Sequence, residues 1–213
     1  MDKGFCIFDM DGTLVDSMGY WRRLGRDYLE QRGVSPTAEQ LAPIGPMTML
    51  ESAAYFMETF HIPGPPAAIV EEMHAVMEDH YRRDIPPKGG VKAYLEGLRD
   101  RGVRLCVATA TAEPLSHACL ERLEVDGCFD FLLSCETLGV GKSRPDIYLE
   151  AARRLGAAPG EIAVFEDALY AVRTAREAGF YVVGVAEEAY AGDWPQVCAL
   201  AHETITDWRN CVL

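Results

Sequence analysis

The stretch Phe5-Cys6-Ile7-Phe8-Asp9-Met10-Asp11-Gly12-Thr13 decides how this chain is read. An apolar run without polar alternation, Phe5–Phe8, has the pattern of a strand buried on both faces of a parallel sheet. It stops abruptly at two carboxylates, a glycine and a threonine. In an open α/β sheet, ligands bind outside the carboxyl ends of the strands, so Asp9 and Asp11 stand where chemistry is done. Two like charges this close repel and need a cation or a shared proton. Hard oxygen ligands of this kind suit Mg2+. A capped turn is the plain alternative for a single aspartate before Gly12; the pair makes it the weaker reading.

Downstream, residues 16–85 read as helix after helix with no strand signal. Residues 16–32 form a helix with Asp16 or Ser17 as N-cap and Gly33 as its stop. Residues 35–41 open a short second helix with an early proline. Residues 48–61 carry Met49, Ala53, Phe56, Met57 and Phe60 at helical spacing, as core, and residues 67–83 follow a break at Pro63-Gly64-Pro65-Pro66. After a second break at Pro86-Pro87-Lys88-Gly89-Gly90 the pattern alternates. Helices are expected over 91–101, 113–123, 146–155 and 169–178, and strands over 103–108, 129–134, 162–165 and 181–185. Residues 194–213 finish the core. Alternation of this kind gives a parallel sheet with right-handed crossovers. The expected fold class is therefore α/β: a Rossmann-like parallel-sheet core from residues 1–15 and 86–213, with an all-helical domain of residues 16–85 inserted after the first strand.

The composition narrows the function. The 213 residues are 49% hydrophobic, enough for one large domain or a core domain with a small companion. A net charge of −13 argues against nucleic-acid binding, which needs a basic face. No run reaches the roughly 18 to 20 apolar residues of a membrane span. There is no signal-type N-terminal stretch either, so the expected compartment is the cytoplasm. The seven cysteines include no C-x-x-C pair and the five histidines no metal-type spacing, which fits a reducing compartment and disfavours zinc.

Two more strands end in chemically useful residues. Thr109-Ala110-Thr111 follows one, and Glu166-Asp167 follows another. Lys142 lies in Gly139-Val140-Gly141-Lys142-Ser143-Arg144-Pro145, ahead of the helix starting at Asp146, and the spacing is not that of a Walker loop. Each piece alone has an ordinary explanation: a turn threonine, a surface lysine, a helix N-terminal charge pair. Their order and spacing together are specific.

In that order the pieces resemble the haloacid dehalogenase superfamily, and within it the phosphoglucomutase-like and phosphoglycolate-phosphatase-like group with a helical cap. Asp9-Met10-Asp11-Gly12-Thr13 is similar to its first motif, Thr109 to the second, Lys142 with Pro145-Asp146 to the third, and Glu166-Asp167 to the fourth. The resemblance implies Asp9 as nucleophile and Asp11 as general acid/base. It implies Mg2+ held by Asp9, the carbonyl of Asp11 and Asp167, with Glu166 as a further metal-side carboxylate. Thr109 and the Ala110 amide would hold phosphate, and Lys142 would neutralise charge and orient Asp9. The chain departs from the family's common pattern at Ala168, where a serine is usual, at Ala171, where glycine is usual, and at Ser143-Arg144 after Lys142.

The implied activity is Mg2+-dependent hydrolysis of a small phosphate monoester, a sugar phosphate or a phosphoglycolate-like compound, by a monomer or weak dimer. The cap, hinged near residues 15–17 and 85–90, would close to exclude water and select the ester. Tyr20, Arg23, Thr48, Met49 and Arg82 are its candidate substrate contacts by position and type. A β-phosphoglucomutase-type mutase is the alternative. The comparable cap stretch Gly45-Pro46-Met47-Thr48-Met49 lacks the arginine of those mutases. A non-catalytic phospho-ligand-binding module is a further alternative, although none of Asp9, Asp11, Thr109, Lys142 and Asp167 is missing. Dehalogenase chemistry is disfavoured, since it has no need of Asp11 or of the Mg2+ ligands.

Overall fold

The computed structural model describes residues 3–45 and 47–211; Met1, Asp2, Pro46, Val212 and Leu213, which the sequence assignments include, lie outside the described residues. The chain divides into two compact units, Met1–Ser17 with Ile85–Leu213, and Met18–Asp84. In chain order, β1 (Phe5–Phe8) is followed by α1 (Met18–Gln31), α2 (Ala38–Leu41), α3 (Met49–Phe60) and α4 (Pro66–Arg83). Then come α5 (Val91–Asp100), β2 (Arg104–Thr109), α6 (Glu113–Arg122), β3 (Phe131–Ser134), α7 (Cys135–Leu138) and α8 (Asp146–Leu155). The chain continues with β4 (Ile162–Glu166), α9 (Leu169–Glu177), β5 (Tyr181–Val185), α10 (Trp194–Leu200) and β6 (Glu203–Ile205).

The sheet order is β3-β2-β1-β4-β5-β6, with every pairing parallel. The order reverses between β1 and β4, so the crevice of an open doubly wound sheet opens at their carboxyl ends. The register pairs Phe8 with Val107 on one side and with Phe165 on the other. Asp9 therefore leaves β1 beside the ends of both β2 and β4. One face of the sheet packs Ile7, Cys106, Ala108 and Val164 against the apolar sides of α8 and α9. The other face carries an aromatic stack: Phe8 on Phe165 at 4.3 Å, Phe165 against Trp208 at 5.7 Å, and Trp208 against Tyr94 at 4.9 Å. These bulky pairs hold β1 and β4 in register directly below the switch point.

Differences from the sequence expectation are small and have local causes. Helix α1 starts at Met18 rather than at residue 16, because Val15 pairs with Pro87 and the Asp16 amide donates to Pro86 O at 2.9 Å. Strand β3 is shorter than expected because a 3-10 turn at Asp126–Cys128 takes the Phe129 amide. The additional strand β6 is three residues long, begins with Glu203 and Thr204, and pairs with β5 alone. A short polar edge strand has no hydrophobic pattern to announce it.

The helical unit has its own core. Tyr28 of α1 stacks on Phe56 of α3 at 5.9 Å, and α4 buries Ile69, Met73, Met77 and Tyr81. Gly25 lets α1 approach closely: a Cβ there would lie 2.7 Å from Ile44 Cδ1 and 3.1 Å from Phe56 Cζ.

Candidate active site

The loop after β1 is fixed by its own backbone. The Asp9 amide donates to Phe165 O at 3.0 Å, Leu14 and Val15 donate to Met10 O, and Gly12 donates to Val15 O at 2.9 Å. Gly12 has φ 81°, a conformation that only glycine adopts without strain, which accounts for its place after Asp11. The indole of Trp208 donates to Thr13 O at 3.1 Å, so the aromatic stack also grips this loop.

The ends of β1 and β4 and the loop before α8 bring four charged residues together. Lys142 Nζ donates to Asp9 Oδ1 and, at 2.7 Å, to Glu166 Oε1. Ligand atoms of Asp9, Glu166 and Asp167 all lie within 4.8 Å of one another. All four residues are buried. Asp9 Oδ2 and Asp167 Oδ2 are buried without a hydrogen-bond partner among the described residues. Buried polar atoms are normally satisfied, and orphans at a functional site call for an explanation.

The electrostatics supply one. Burial pushes the Asp9 carboxyl up to about 7; the Lys142 ammonium opposes this, and Glu166 and Asp11 add to it. Burial, with the charges of Asp9 and Glu166, raises Asp167 well above the usual carboxylate range. Burial by itself works to lower the Lys142 ammonium, but Asp9 and Glu166 outweigh it and hold it above the ordinary lysine range. Three carboxylates against one ammonium leave an excess of negative charge in a buried site. A divalent cation bound by oxygen atoms meets both needs, satisfying the orphan atoms and balancing the charge. The donor set therefore fits Mg2+.

Asp11 is held apart from this cluster. Ser17 Oγ donates to its Oδ1 and Thr111 Oγ1 to its Oδ2, each at 2.7 Å. Thr109, fully buried at the end of β2, accepts the Thr111 amide at 3.0 Å, while Ala110 is exposed on the same turn. The turn after β2 thus orients Thr109 and steadies Asp11 at once.

Sequence reasoning did not single out Ser17, Thr111 or Tyr148 as site residues. The first two adjoin recognised motifs, and their hydroxyls were the available signal. Tyr148 donates to Glu166 Oε1 at 2.6 Å; burial, reinforced by the Glu166 charge, raises its phenol well above the ordinary range. It lies on the buried face of α8 among Ile147, Ala151, Ala152 and Leu155. A tyrosine on such a face needs a partner for its hydroxyl.

The remaining candidates lie in the helical unit. The Tyr20 hydroxyl donates to Asp84 O at 3.3 Å, and its ring lies 4.8 Å from that of His80. Arg23 pairs with Asp27 and Arg82 with Glu78, both across one helical turn. Thr48 caps α3 in a reciprocal capping box with Glu51, and Met49 is the first residue of that helix.

The chain belongs to the haloacid dehalogenase-like hydrolase family, whose model matches residues 5–179. It is 31% identical over 185 residues to hexitol phosphatase A of Escherichia coli, covering 86% of this chain and 82% of that one. It is 28% identical over 173 residues to the phosphorylated carbohydrates phosphatase of Thermotoga maritima, covering 81% and 80% of the two chains. A solved Thermotoga maritima structure, provisionally named a beta-phosphoglucomutase, superposes with a TM-score of 0.82 at 25% identity, covering 96% of this chain and 95% of that one. The hydrolase class and the α/β fold expected from the sequence are those of the family. Among the described residues, no helix is long and apolar enough to cross a membrane.

Proposed function

We propose that this chain is a Mg2+-dependent phosphatase of a small phosphorylated metabolite, a sugar phosphate or a phosphoglycolate-like ester, acting through an aspartyl-phosphate on Asp9. The observation that carries the reading is the buried set Asp9, Lys142, Glu166 and Asp167, with its two orphan carboxylate oxygens, at the switch point of the sheet. The names of the two phosphatase relatives support a phosphorylated-carbohydrate substrate class.

Asp9 attacks phosphorus; the P–O bond to the leaving alcohol breaks, and Asp11 supplies the proton that alcohol needs. Asp11 then takes a proton from water as the water oxygen attacks the aspartyl-phosphate. Inorganic phosphate leaves and Asp9 is regenerated. Thr109 and the Ala110 amide bind phosphate oxygens, and Lys142 keeps Asp9 aligned and offsets charge. Asp9, the Asp11 carbonyl and Asp167 would hold Mg2+, with Glu166 direct or through water. Mg2+ supplies charge neutralisation between carboxylate and phosphate. The raised Asp9 carboxyl explains why the cation is needed: a nucleophilic carboxylate must be ionised. Tyr20, Arg23, Met49 and Arg82, with Thr48 at the start of α3, are assigned to selecting the ester, on sequence position and residue type. The cytoplasm and a monomer or weak dimer belong to the same reading.

Phosphate release from a panel of esters, with and without Mg2+ and with Asp9→Asn as blank, tests it. The panel holds hexitol, hexose and pentose phosphates, phosphoglycolate and nucleoside monophosphates. Mg2+-dependent release that the variant lacks is the expected result. The likeness to the beta-phosphoglucomutase-named structure supports a second reading, a phosphosugar mutase. Isomerisation of β-glucose 1-phosphate without free phosphate would replace the phosphatase with it. Neither release nor isomerisation would leave a phospho-ligand-binding module.

A further inference from the structure

Tyr148 lies six residues beyond Lys142, outside every motif that carries the family resemblance. The other buried residues of α8 are apolar, and its ring packs beside Phe180 at 6.0 Å. Packing alone would be met by phenylalanine; among the described residues the hydroxyl makes one hydrogen bond, at 2.6 Å to Glu166 Oε1. That same oxygen receives Lys142 at 2.7 Å. A carboxylate oxygen has two acceptor positions near its own plane. With a phenol on one and an ammonium on the other, the plane of the carboxylate is set and its second oxygen is aimed. No hydrogen bond reaches Glu166 Oε2 among the described residues.

We propose that Tyr148 is a positioning residue: with Lys142 it pins Glu166 through Oε1 and thereby reserves Oε2 for the divalent cation or a water bound to it. The inference deepens the phosphatase reading and rests on its cation site. With phenylalanine at 148, one position on Oε1 empties inside the protein, and the carboxylate is free to turn until both oxygens serve Lys142. The cation then loses an oriented ligand while the fold keeps its packing. Partners that orient a metal ligand from outside typically contribute about 10- to 100-fold in metal affinity or activity.

The test is a double-mutant cycle on the full chain, read by calorimetric titration with Mg2+. Tyr148→Phe is expected to weaken Mg2+ binding about tenfold with an unchanged near-ultraviolet circular dichroism spectrum. In a Glu166→Gln background the same change is expected to alter affinity less than about twofold, because Tyr148 acts only through Glu166. Tyr148→p-aminophenylalanine, which keeps a donor at the para position, should restore binding; Tyr148→p-methylphenylalanine, of similar volume without the donor, should not. These two variants decide the matter even if Tyr148→Phe folds poorly. Wild-type Mg2+ affinity in Tyr148→Phe, or an equal loss in both backgrounds, would overturn the proposal. A chain that binds Mg2+ with this coupling but releases no phosphate from any ester would sink the phosphatase reading and leave Tyr148 in place. A chain that hydrolyses esters without the coupling would do the reverse.

Discussion

In the sheet-bearing unit, Asp9, Lys142, Glu166 and Asp167 are 6%, 4%, 1% and 3% exposed. Among the described residues, Lys142 bonds to Asp9 and Glu166, Tyr148 bonds to Glu166, and Asp9 Oδ2 and Asp167 Oδ2 have no hydrogen-bond partner. In the helical unit, Arg23, Arg82 and Thr48 stay near solvent and bond within one helical turn, to Asp27, Glu78 and Glu51, while the Tyr20 hydroxyl donates to Asp84 O. The first arrangement is expensive, since buried like charges oppose folding. The second is cheap, since exposed pairs of this kind contribute at most about 1 kcal/mol. In the proposed function, the costly buried cluster is kept for chemistry that a cheaper set could not do. Cheap exposed contacts can be exchanged without disturbing the fold, and in the proposed function the helical unit is where preference among esters would vary.

The hardest test of that contrast is Asp9→Asn. Turnover is expected to fall on the order of 10^4-fold or more, since an amide is a poor nucleophile. The thermal midpoint should hold or rise, because one of three crowded carboxylates has gone while Lys142 keeps Glu166. Retained phosphate release would end the aspartyl-phosphate mechanism. Next in size is Asp11→Asn, expected to slow turnover by about 10^2- to 10^4-fold. Single-turnover and steady-state rates should both fall, because the proposed mechanism uses Asp11 in both half-reactions. An unchanged rate would remove it from acid/base duty.

The fold and the chemical groups of the core were legible because each rests on a short local pattern. The apolar run Phe5–Phe8 ending in Asp9 announces a buried strand, and Glu166-Asp167 and Thr109 end other strands in the same way. What the sequence hides is convergence in space. Nothing local pairs Tyr148 with Glu166 across 18 residues, or Thr111 with Asp11 across 100. Strand β6 was hidden for a different reason, since its pattern is polar and its pairing one-sided. In the helical unit, the sequence marks residue types suited to a ligand, but capping and helix pairing use the same types. Thr48 at the head of α3 reads the same either way.

A smaller effect should appear as a pH dependence of stability. Asp9 and Asp167 titrate higher in the folded metal-free protein than the ordinary value of 3.8. Between about 4 and 7 the folded state therefore holds more protons than the unfolded one, and stability falls as pH rises through that window. The slope per extra proton is about 1.4 kcal/mol per pH unit. The Asp9 contribution is intact below about 4 and lost above about 7, and Asp167 acts in the same direction. Mg2+ should cancel the decline, adding about 2.7 kcal/mol at a hundredfold excess over its dissociation constant. Urea denaturation in EDTA and in Mg2+ across this range measures both. A metal-free protein whose stability rises steadily from pH 4 to 7 would contradict the crowding of buried carboxylates.

The finest test concerns Thr48, where the two kinds of region could yet prove alike. Its hydroxyl accepts the Glu51 amide at 3.2 Å and donates to the Glu51 carboxylate at 2.8 Å, so both of its roles are used within the capping box. Thr48→Ala should cost about 1 kcal/mol of stability, and Thr48→Ser much less. KM for the preferred ester should change less than about threefold in either variant, because losing a cap weakens the helix without removing a free donor. Stability comes from chemical denaturation and KM from phosphate release, so the two effects separate cleanly. A KM raised tenfold by alanine and restored by serine, with stability unmoved, would mean that the hydroxyl leaves its cap for the substrate. The helical unit would then hold committed chemistry of its own, and the division between a fixed core and an exchangeable surface would fail at this residue.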